Sequence, residues 1–169
     1  MILEPLLPVD GALPGVLLTE ITALYASNRE FHEITGDFPD PDDIRIEQVA
    51  AELARELAHP DVEVLLARVA GRLVGIAVTL SVHPDPADPD PWIGLLMVDA
   101  REHRSGYGRQ LAELVEERFR AAGREAVRLA VLENNTRALR FWTALGYLVT
   151  GHREDRQRGR PCAVLRKVL

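Results

Sequence analysis

Apolar residues recur at regular intervals along the chain and indicate where its strands and helices lie. Six short, mostly apolar runs and one weakly alternating segment at the start predict β-strands. The predicted strands are residues 1–7, 62–69, 72–82, 92–98, 127–132, 147–152 and 163–168. In four other segments apolar residues recur every three or four positions, which predicts amphipathic helices packed on a sheet. The predicted helices are residues 13–27, 46–58, 107–119 and 135–145.

Two longer segments lack either period, and we expect both to be connectors. Residues 28–43 are polar with interspersed aromatic rings and end in turn residues. Residues 83–91 contain four prolines and three aspartates. These aspartates lack the glycine and the terminal glutamate of a calcium loop, and proline restricts the backbone, so we expect a stiff, solvated connector there.

Two glycines, Gly106 and Gly108, stand between the strand at 92–98 and the helix that follows it. A strand that leads through glycines into a helix presents unpaired N–H groups and the positive end of the helix dipole, which bind phosphate oxygens. A Cβ at either glycine would hold a ligand away from the backbone. The P-loop pattern fails because Arg109 follows Gly108, and the dinucleotide fingerprint fails because Leu111 replaces its third glycine.

The residues around these glycines resemble the pyrophosphate loop of the GNAT N-acetyltransferase superfamily. In that family the loop has the sequence pattern Gln/Arg-x-x-Gly-x-Gly/Ala and lies directly after a strand, at the start of a helix. Here residues 103–108 read His-Arg-Ser-Gly-Tyr-Gly. His103 departs from the family pattern, although Arg104 beside it supplies a cation.

A second stretch, residues 135–147, is similar to the family pattern Asn-x-x-Ala-x-x-Phe-Tyr-x-x-x-Gly-Phe. The matching positions are Asn135, Ala138, Phe141, Gly146 and Tyr147. Either pattern alone fits an ordinary turn or a capped helix, but the two occur in the family order with a helix and a strand between them. The resemblance covers residues 62–150 well and the first 60 residues loosely.

The resemblance implies an α+β fold of the three-layer GNAT type. It comprises a central, mixed, mostly antiparallel twisted sheet of six to seven strands, with two parallel strands splayed apart and about four flanking helices. The length of 169 residues suits a single domain over residues 1–169. In this family two helices between the first two strands cover the acceptor side.

The resemblance also implies acetyl-CoA as co-substrate, with its pantetheine arm between the strands at 95–98 and 127–132. Main-chain groups of Met97 and Val98 would bind the pantetheine amides, and one N–H would polarise the thioester carbonyl. Backbone N–H groups of residues 104–109 would bind the pyrophosphate. The residues expected at acetyl-CoA are Leu96, Met97, Val98, His103, Arg104, Ser105, Gly106, Tyr107, Gly108, Arg109, Asn135, Ala138, Phe141 and Trp142.

The resemblance identifies no acid or base. Many family members carry a glutamate base where this chain has Gly94, and a tyrosine acid where it has Trp142. An indole is no acid at neutral pH, although its N–H can donate a hydrogen bond to sulfur. The weak candidates for a base lie in the 28–43 segment and are His32, Glu33 and Asp37. Phe31 and Glu33 are the candidates for acceptor contacts.

Composition limits the class of protein. No apolar stretch reaches membrane-spanning length, the first residues lack the basic region of a signal peptide, and the single cysteine suits a reducing cytoplasm. The net charge of −6 argues against a nucleic-acid partner and mildly favours a cationic one. The histidines show no metal-ligand spacing.

We therefore expect a cytoplasmic acyl-CoA-dependent N-acyltransferase that transfers acetyl to a primary amine by direct attack. The acceptor is a small molecule or a protein amine, and the chain is a possible homodimer without nucleic-acid or membrane partners. The alternative is a catalytically weak or inactive CoA-binding module that has lost the family glutamate and tyrosine.

Overall fold

The computed structural model describes residues 1–9, 11–155 and 158–169. Seven strands of the described residues form one sheet. They are β1 (Ile2–Pro5), β2 (Val62–Val69), β3 (Arg72–Leu80), β4 (Trp92–Val98), β5 (Ala126–Leu132), β6 (Leu148–Glu154) and β7 (Pro161–Val168). The strand order is β1-β2-β3-β4-β5-β7-β6, and every neighbouring pair is antiparallel except the parallel pair β4 and β5. The predicted mixed, mostly antiparallel sheet is confirmed.

Five α-helices flank this sheet in the described part of the chain. They are α1 (Gly15–Ser27), α2 (Arg29–Thr35), α3 (Ile46–Leu57), α4 (Tyr107–Ala121) and α5 (Thr136–Ala144). Helices α4 and α5 pack on one face of the sheet and contribute to one hydrophobic core. Helices α1 and α3 pack on the other face and contribute to a second core. The three-layer arrangement follows, because a sheet with two apolar faces has to be covered on both.

Helix α2 corrects the expectation that residues 28–43 form an irregular connector. The helix has only seven residues and no side-chain cap at its first turn, so little in the sequence indicates it. Contacts from elsewhere in the fold hold it: the Asn28 side chain donates to the Val98 carbonyl at 3.0 Å, and the Arg160 guanidinium donates to the Thr35 carbonyl. Gly36, in the left-handed region, ends it.

Strands β4 and β5 pair over only two positions, Trp92 with Arg128 and Ile93 with Leu129. Beyond Ile93 the two strands are no longer paired in the described structure, which confirms the predicted splay. At this point β4 contains a bulge. Ile93 and Leu95 lie opposite two consecutive residues of β3, and Gly94 between them has no pairing partner. Such a bulge bends a strand, and here it coincides with the place where β4 leaves β5.

The loop at 83–91 corrects the expectation of a solvated connector, because two of its aspartates are largely buried against arginines. The Asp90 Oδ2 accepts hydrogen bonds from Arg128 Nε at 2.9 Å and from Arg166 Nε at 2.7 Å. The Trp92 indole N–H donates to Asp88 at 3.0 Å. These bonds hold the loop against β4, β5 and β7 at the end where β4 and β5 are still paired.

Candidate active site

A cleft of about 1100 Å³ opens where β4 and β5 part. Its floor consists of the diverging strand segments 93–98 and 129–132. Helices α1, α2 and α3 line one side, and the start of α4 together with α5 lines the other. The cleft therefore runs from the N-terminus of α4 to the wall formed by the first three helices.

At one end of the cleft, α4 begins with the predicted glycine pair. Gly106 has φ +82°, the left-handed region, and a Cβ built on it meets nothing within 4 Å. The N–H groups of the first helical turn have no intrahelical partners and are available to an anion beside that open space. A Cβ on Gly108 would lie 3.3 Å from the Phe141 ring, so this glycine lets α4 approach α5.

Two side chains converge on the Val98 carbonyl at the end of β4. Asn28 Nδ2 donates to it at 3.0 Å, and His103 Nε2 lies 3.1 Å from it. Arg137 Nη2 lies 2.8 Å from His103 Nδ1, and a guanidinium can only donate, so Nδ1 accepts and Nε2 carries the proton that bonds Val98. Asn28 and Arg137 were missed from the sequence, because both stand among polar residues without a recognisable spacing.

The hydrogen-bond pattern of β4 determines which main-chain groups face the cleft. The Asp99 N–H donates to the Val74 carbonyl of β3 at 2.9 Å. Pairing alternates along an antiparallel strand, so the groups of Met97 point to β3 and those of Leu96 and Val98 point to the cleft. This corrects the expectation that main-chain groups of Met97 bind the pantetheine amides, because β3 already occupies them. The Val98 carbonyl already accepts twice, which leaves its N–H and both groups of Leu96 for a ligand.

Twelve of the fourteen residues expected at acetyl-CoA line the cleft; the exceptions are Ser105 and Tyr107. The Ser105 N–H donates to the Glu102 carbonyl at 3.2 Å, and Tyr107 packs against the core under α4. Asn135 caps α5, because its side-chain oxygen accepts from the Ala138 N–H at 3.0 Å.

Trp142 is largely buried and lies edge-on to two rings, with centroids 5.0 Å from Phe141 and 4.9 Å from Tyr147. It also lines the cleft, and its indole N–H donates to no other described residue. A Cβ on Gly94 would lie 3.6 Å from the Val78 carbonyl, an ordinary contact, so the bulge has room for a side chain. Gly94 and Trp142, which stand where many family members carry the base and the acid, both line the cleft.

On the opposite side, the structure separates the acceptor-side candidates. Phe31, His32 and Asp37 line the cleft, whereas Glu33 does not. Glu33 is about half exposed and pairs with Arg29 at 2.7 Å, one turn back along α2. The helix that replaces the expected connector thus turns Glu33 away from the site.

His32 is 1% exposed and stacks on Tyr25. Its Nε2 donates to the Tyr25 carbonyl at 3.1 Å, while Nδ1 is buried and has no hydrogen-bond partner among the described residues. Burial lowers the pKa of His32, although the bond to Tyr25 and the charge of Asp37 oppose the shift. The ring stays neutral, and Nδ1 is shielded from water in this conformation.

The cleft residues that were not predicted also include Tyr25 on α1, and Glu52 and Glu56 on α3. Glutamates four residues apart on an amphipathic helix are typical of an ordinary solvated face, and Tyr25 fits the apolar stripe of α1. Only the packing of α1 against α3 brings them together. Within the described residues there is no cluster of metal-ligating side chains and no helix long and apolar enough to span a membrane.

Comparison with solved structures gives the same fold over nearly the whole chain. An acetyltransferase from Thermus thermophilus superposes with a TM-score of 0.72 at 19% identity, covering 100% of this chain and 98% of that one. A GNAT family acetyltransferase from Elizabethkingia anophelis with acetyl-CoA bound gives 0.64 at 15% identity, covering 99% and 97%. The PaiA N-acetyltransferase from Thermoplasma acidophilum, in complex with coenzyme A, gives 0.65 at 16% identity, covering 100% of both chains.

No curated protein sequence matches this chain significantly. The sequence profile described as "Acetyltransferase (GNAT) family" matches residues 21–147, which is most of the chain and includes β4, α4, β5 and α5. These are the elements that form the splayed strands and the glycine-bearing helix start. The chain belongs to the GNAT acetyltransferase family.

Proposed function

We propose that this protein is an acetyl-CoA-dependent N-acetyltransferase that acetylates a primary amine by direct attack. The observation that carries the proposal is the cleft itself. Two parallel strands separate beyond Ile93 over a lined cavity, and the N-terminus of α4 with its open glycine stands at one end. A cavity of this shape suits a long, narrow ligand with a phosphate group at one end.

The residues present fit acetyl-CoA at three places. The open space at Gly106 and the free N–H groups of the first turn of α4 suit a pyrophosphate. The cleft-facing main-chain groups of Leu96 and the Val98 N–H suit the amides of a pantetheine arm, because they would pair with it as with a further strand. Phe141 and Trp142 offer apolar surface along the opposite wall.

Bound acetyl-CoA supplies an activated acyl thioester. The neutral nitrogen of the amine forms a bond to the acyl carbon, the carbon–sulfur bond breaks, and its electron pair stays with sulfur. The nitrogen loses one proton to water and the sulfur gains one, so the products are an amide and the CoA thiol. The chain positions both reactants, and an N–H of β4 polarises the thioester carbonyl.

Release of the CoA thiol from acetyl-CoA, measured with a panel of small amines and a lysine peptide, tests this function. At least one primary amine should release thiol in proportion to the amide formed, as detected by mass spectrometry. Titration calorimetry should show acetyl-CoA binding in the same preparation. Tight binding of acetyl-CoA without thiol release from any primary amine would favour the inactive CoA-binding module.

A further inference from the structure

The side of the cleft formed by α1, α2 and α3 carries an excess of negative charge. Asp37, Glu52 and Glu56, called here the acidic wall, all line the cleft. Glu56 has no ion pair with any described residue, and burial together with the charge of Glu52 raises its pKa. Glu52 pairs with Arg55 at 2.5 Å and Asp37 is exposed, so Glu56 is the unpaired, partly buried carboxylate of the wall. Such a group is costly, and a bound cation would offset that cost.

Tyr25 supplies an independent sign of a ligand at the acidic wall. The residue is only 4% exposed and lines the cleft, yet its hydroxyl makes no hydrogen bond to any described residue. Burial, followed by the charges of Glu52, Glu56 and Asp37, raises the pKa of Tyr25. The hydroxyl therefore stays protonated at neutral pH and can accept a hydrogen bond from a cationic group.

The surroundings of the wall favour an organic cation. The Tyr25 and Phe38 rings meet edge-on at 5.9 Å, and His32 lies edge-on to Phe38 at 4.9 Å. Aromatic faces attract alkylammonium groups and pack against their carbon atoms. The cleft arginines on this side already have partners: Arg160 bonds Asp155 at 2.7 Å and the Thr35 carbonyl, and Arg29 pairs with Glu33 and Asp42.

The reacting nitrogen of an acetylation has to be neutral, so the acidic wall cannot hold that nitrogen through its charge during the transfer. A charge-binding wall is useful for a second nitrogen that remains an ammonium throughout. We propose that the acceptor is a diamine or polyamine: one ammonium group binds between Glu52, Glu56 and Tyr25, and the other nitrogen, deprotonated, reaches the thioester. This inference rests on the proposed acetyltransferase function.

Three acceptors of equal chain length, each with one primary amine in common, test the assignment. We expect 1,4-diaminobutane to have a kcat/KM at least about 30-fold above that of butylamine, since one retained charge contact is worth about 2 kcal/mol. The anion 4-aminobutyrate should react more slowly than butylamine. Equal kcat/KM for the diamine and butylamine, with thiol released from both, would overturn the diamine inference and leave the proposed function intact.

Substitutions then locate the second ammonium. Glu56→Gln and Glu52→Gln should each lower the ratio of the kcat/KM values for diaminobutane and butylamine about tenfold, with unchanged acetyl-CoA affinity. Glu47→Gln, an exposed position on the same helix and away from the cleft, is the matched control and should leave the ratio unchanged. An unchanged ratio in both cleft variants would overturn the assignment to the wall.

A readout without turnover separates the two proposals. If no amine releases thiol, the proposed function fails, but diaminobutane should still raise the melting temperature of the CoA-loaded protein more than butylamine does. That difference should disappear in Glu56→Gln and persist in Glu47→Gln. Equal shifts for both amines in the wild-type protein would contradict a diamine site.

Discussion

Arg137 donates a hydrogen bond to Nδ1 of His103 at 2.8 Å and thereby connects the β4 side of the cleft with the β5 side. His103 lies in the loop after β4, and Arg137 lies on α5, which follows β5. Because Nδ1 accepts, the other ring nitrogen donates to the Val98 carbonyl and holds the end of β4. The departure from the family loop at His103 is thus part of a bridge across the cleft.

Arg137→Ala should weaken acetyl-CoA binding about three- to tenfold, the worth of one or two exposed hydrogen bonds. The melting temperature should change by no more than about 2 °C, because Arg137 is largely exposed. Calorimetry on the variant and on Arg140→Ala gives the test, since Arg140 lies on the same helix away from the cleft. Equal affinities in the two variants would show that the bridge does not act on the cofactor.

Gly106→Ala should combine a stability loss with a loss of acetyl-CoA affinity. A non-glycine residue in the left-handed region costs about 1 kcal/mol, or about 2–4 °C in melting temperature. Gly123 is the matched control, because it has φ +75° and equally open surroundings but lies at the far end of α4. Both variants should melt lower, and only Gly106→Ala should bind acetyl-CoA at least about tenfold more weakly, by the loss of a close backbone contact.

The sequence predicted the half of the site that depends on local pattern. A glycine pair before a helix and an asparagine cap are short-range features, and the residues at Gly106, Gly108 and Asn135 lie where that pattern put them. All seven strands of the described sheet were also predicted, because an apolar or alternating run can be recognised without knowing which strand it pairs with. The residues of the opposite wall, Glu52 and Glu56, carry no such signal, since their position at the cleft depends on the packing of three separate helices.

The two corrected connectors have the same physical origin. Helix α2 is held by Asn28 and Arg160 through contacts with β4 and with the segment before β7. The loop at 83–91 is held by Asp90 through arginines on β5 and β7. The residues that hold each segment lie far from it in sequence, so composition alone indicated a polar, solvated connector in both cases.

Asp90→Asn should destabilise the protein by about 1–3 kcal/mol at pH 7, because it removes the charge that Arg128 and Arg166 share. Burial opposes ionisation of Asp90, but the bonds and charges of the two arginines outweigh it and lower its pKa. A lowered carboxyl pKa gives stability that is complete above about pH 4 and is lost as the pH falls further.

Urea unfolding at several pH values measures this effect. The difference between wild type and Asp90→Asn should be largest at neutral pH and should shrink as Asp90 is protonated below about pH 4. Asp85→Asn, on the same loop but exposed and outside the arginine network, should show no such pH-dependent difference. A constant difference at all pH values would indicate that shape, and not charge, matters at Asp90.

The Trp142→Phe substitution tests whether the indole only packs against its neighbours or also takes part in the reaction. Trp142 lies between the rings of Phe141 and Tyr147 and also lines the cleft, so the smaller ring should lower both the melting temperature and the acetyl-CoA affinity. We expect kcat to stay within about twofold. Val115→Ala, in the same core but away from the cleft, controls for lost stability, because it should lower the melting temperature alone.

Trp142→Tyr places a hydroxyl in the cleft at the position where many family members carry their acid. If return of a proton to the thiolate limits turnover, kcat for this variant should exceed that of Trp142→Phe, and the difference should fall as the tyrosine ionises above about pH 10. We expect only a small gain, because the proposed mechanism relies mainly on binding and positioning of the two reactants. A tenfold or larger rise over wild type would show that the missing acid limits the natural enzyme. Equal kcat in the two Trp142 variants would assign this position to packing alone.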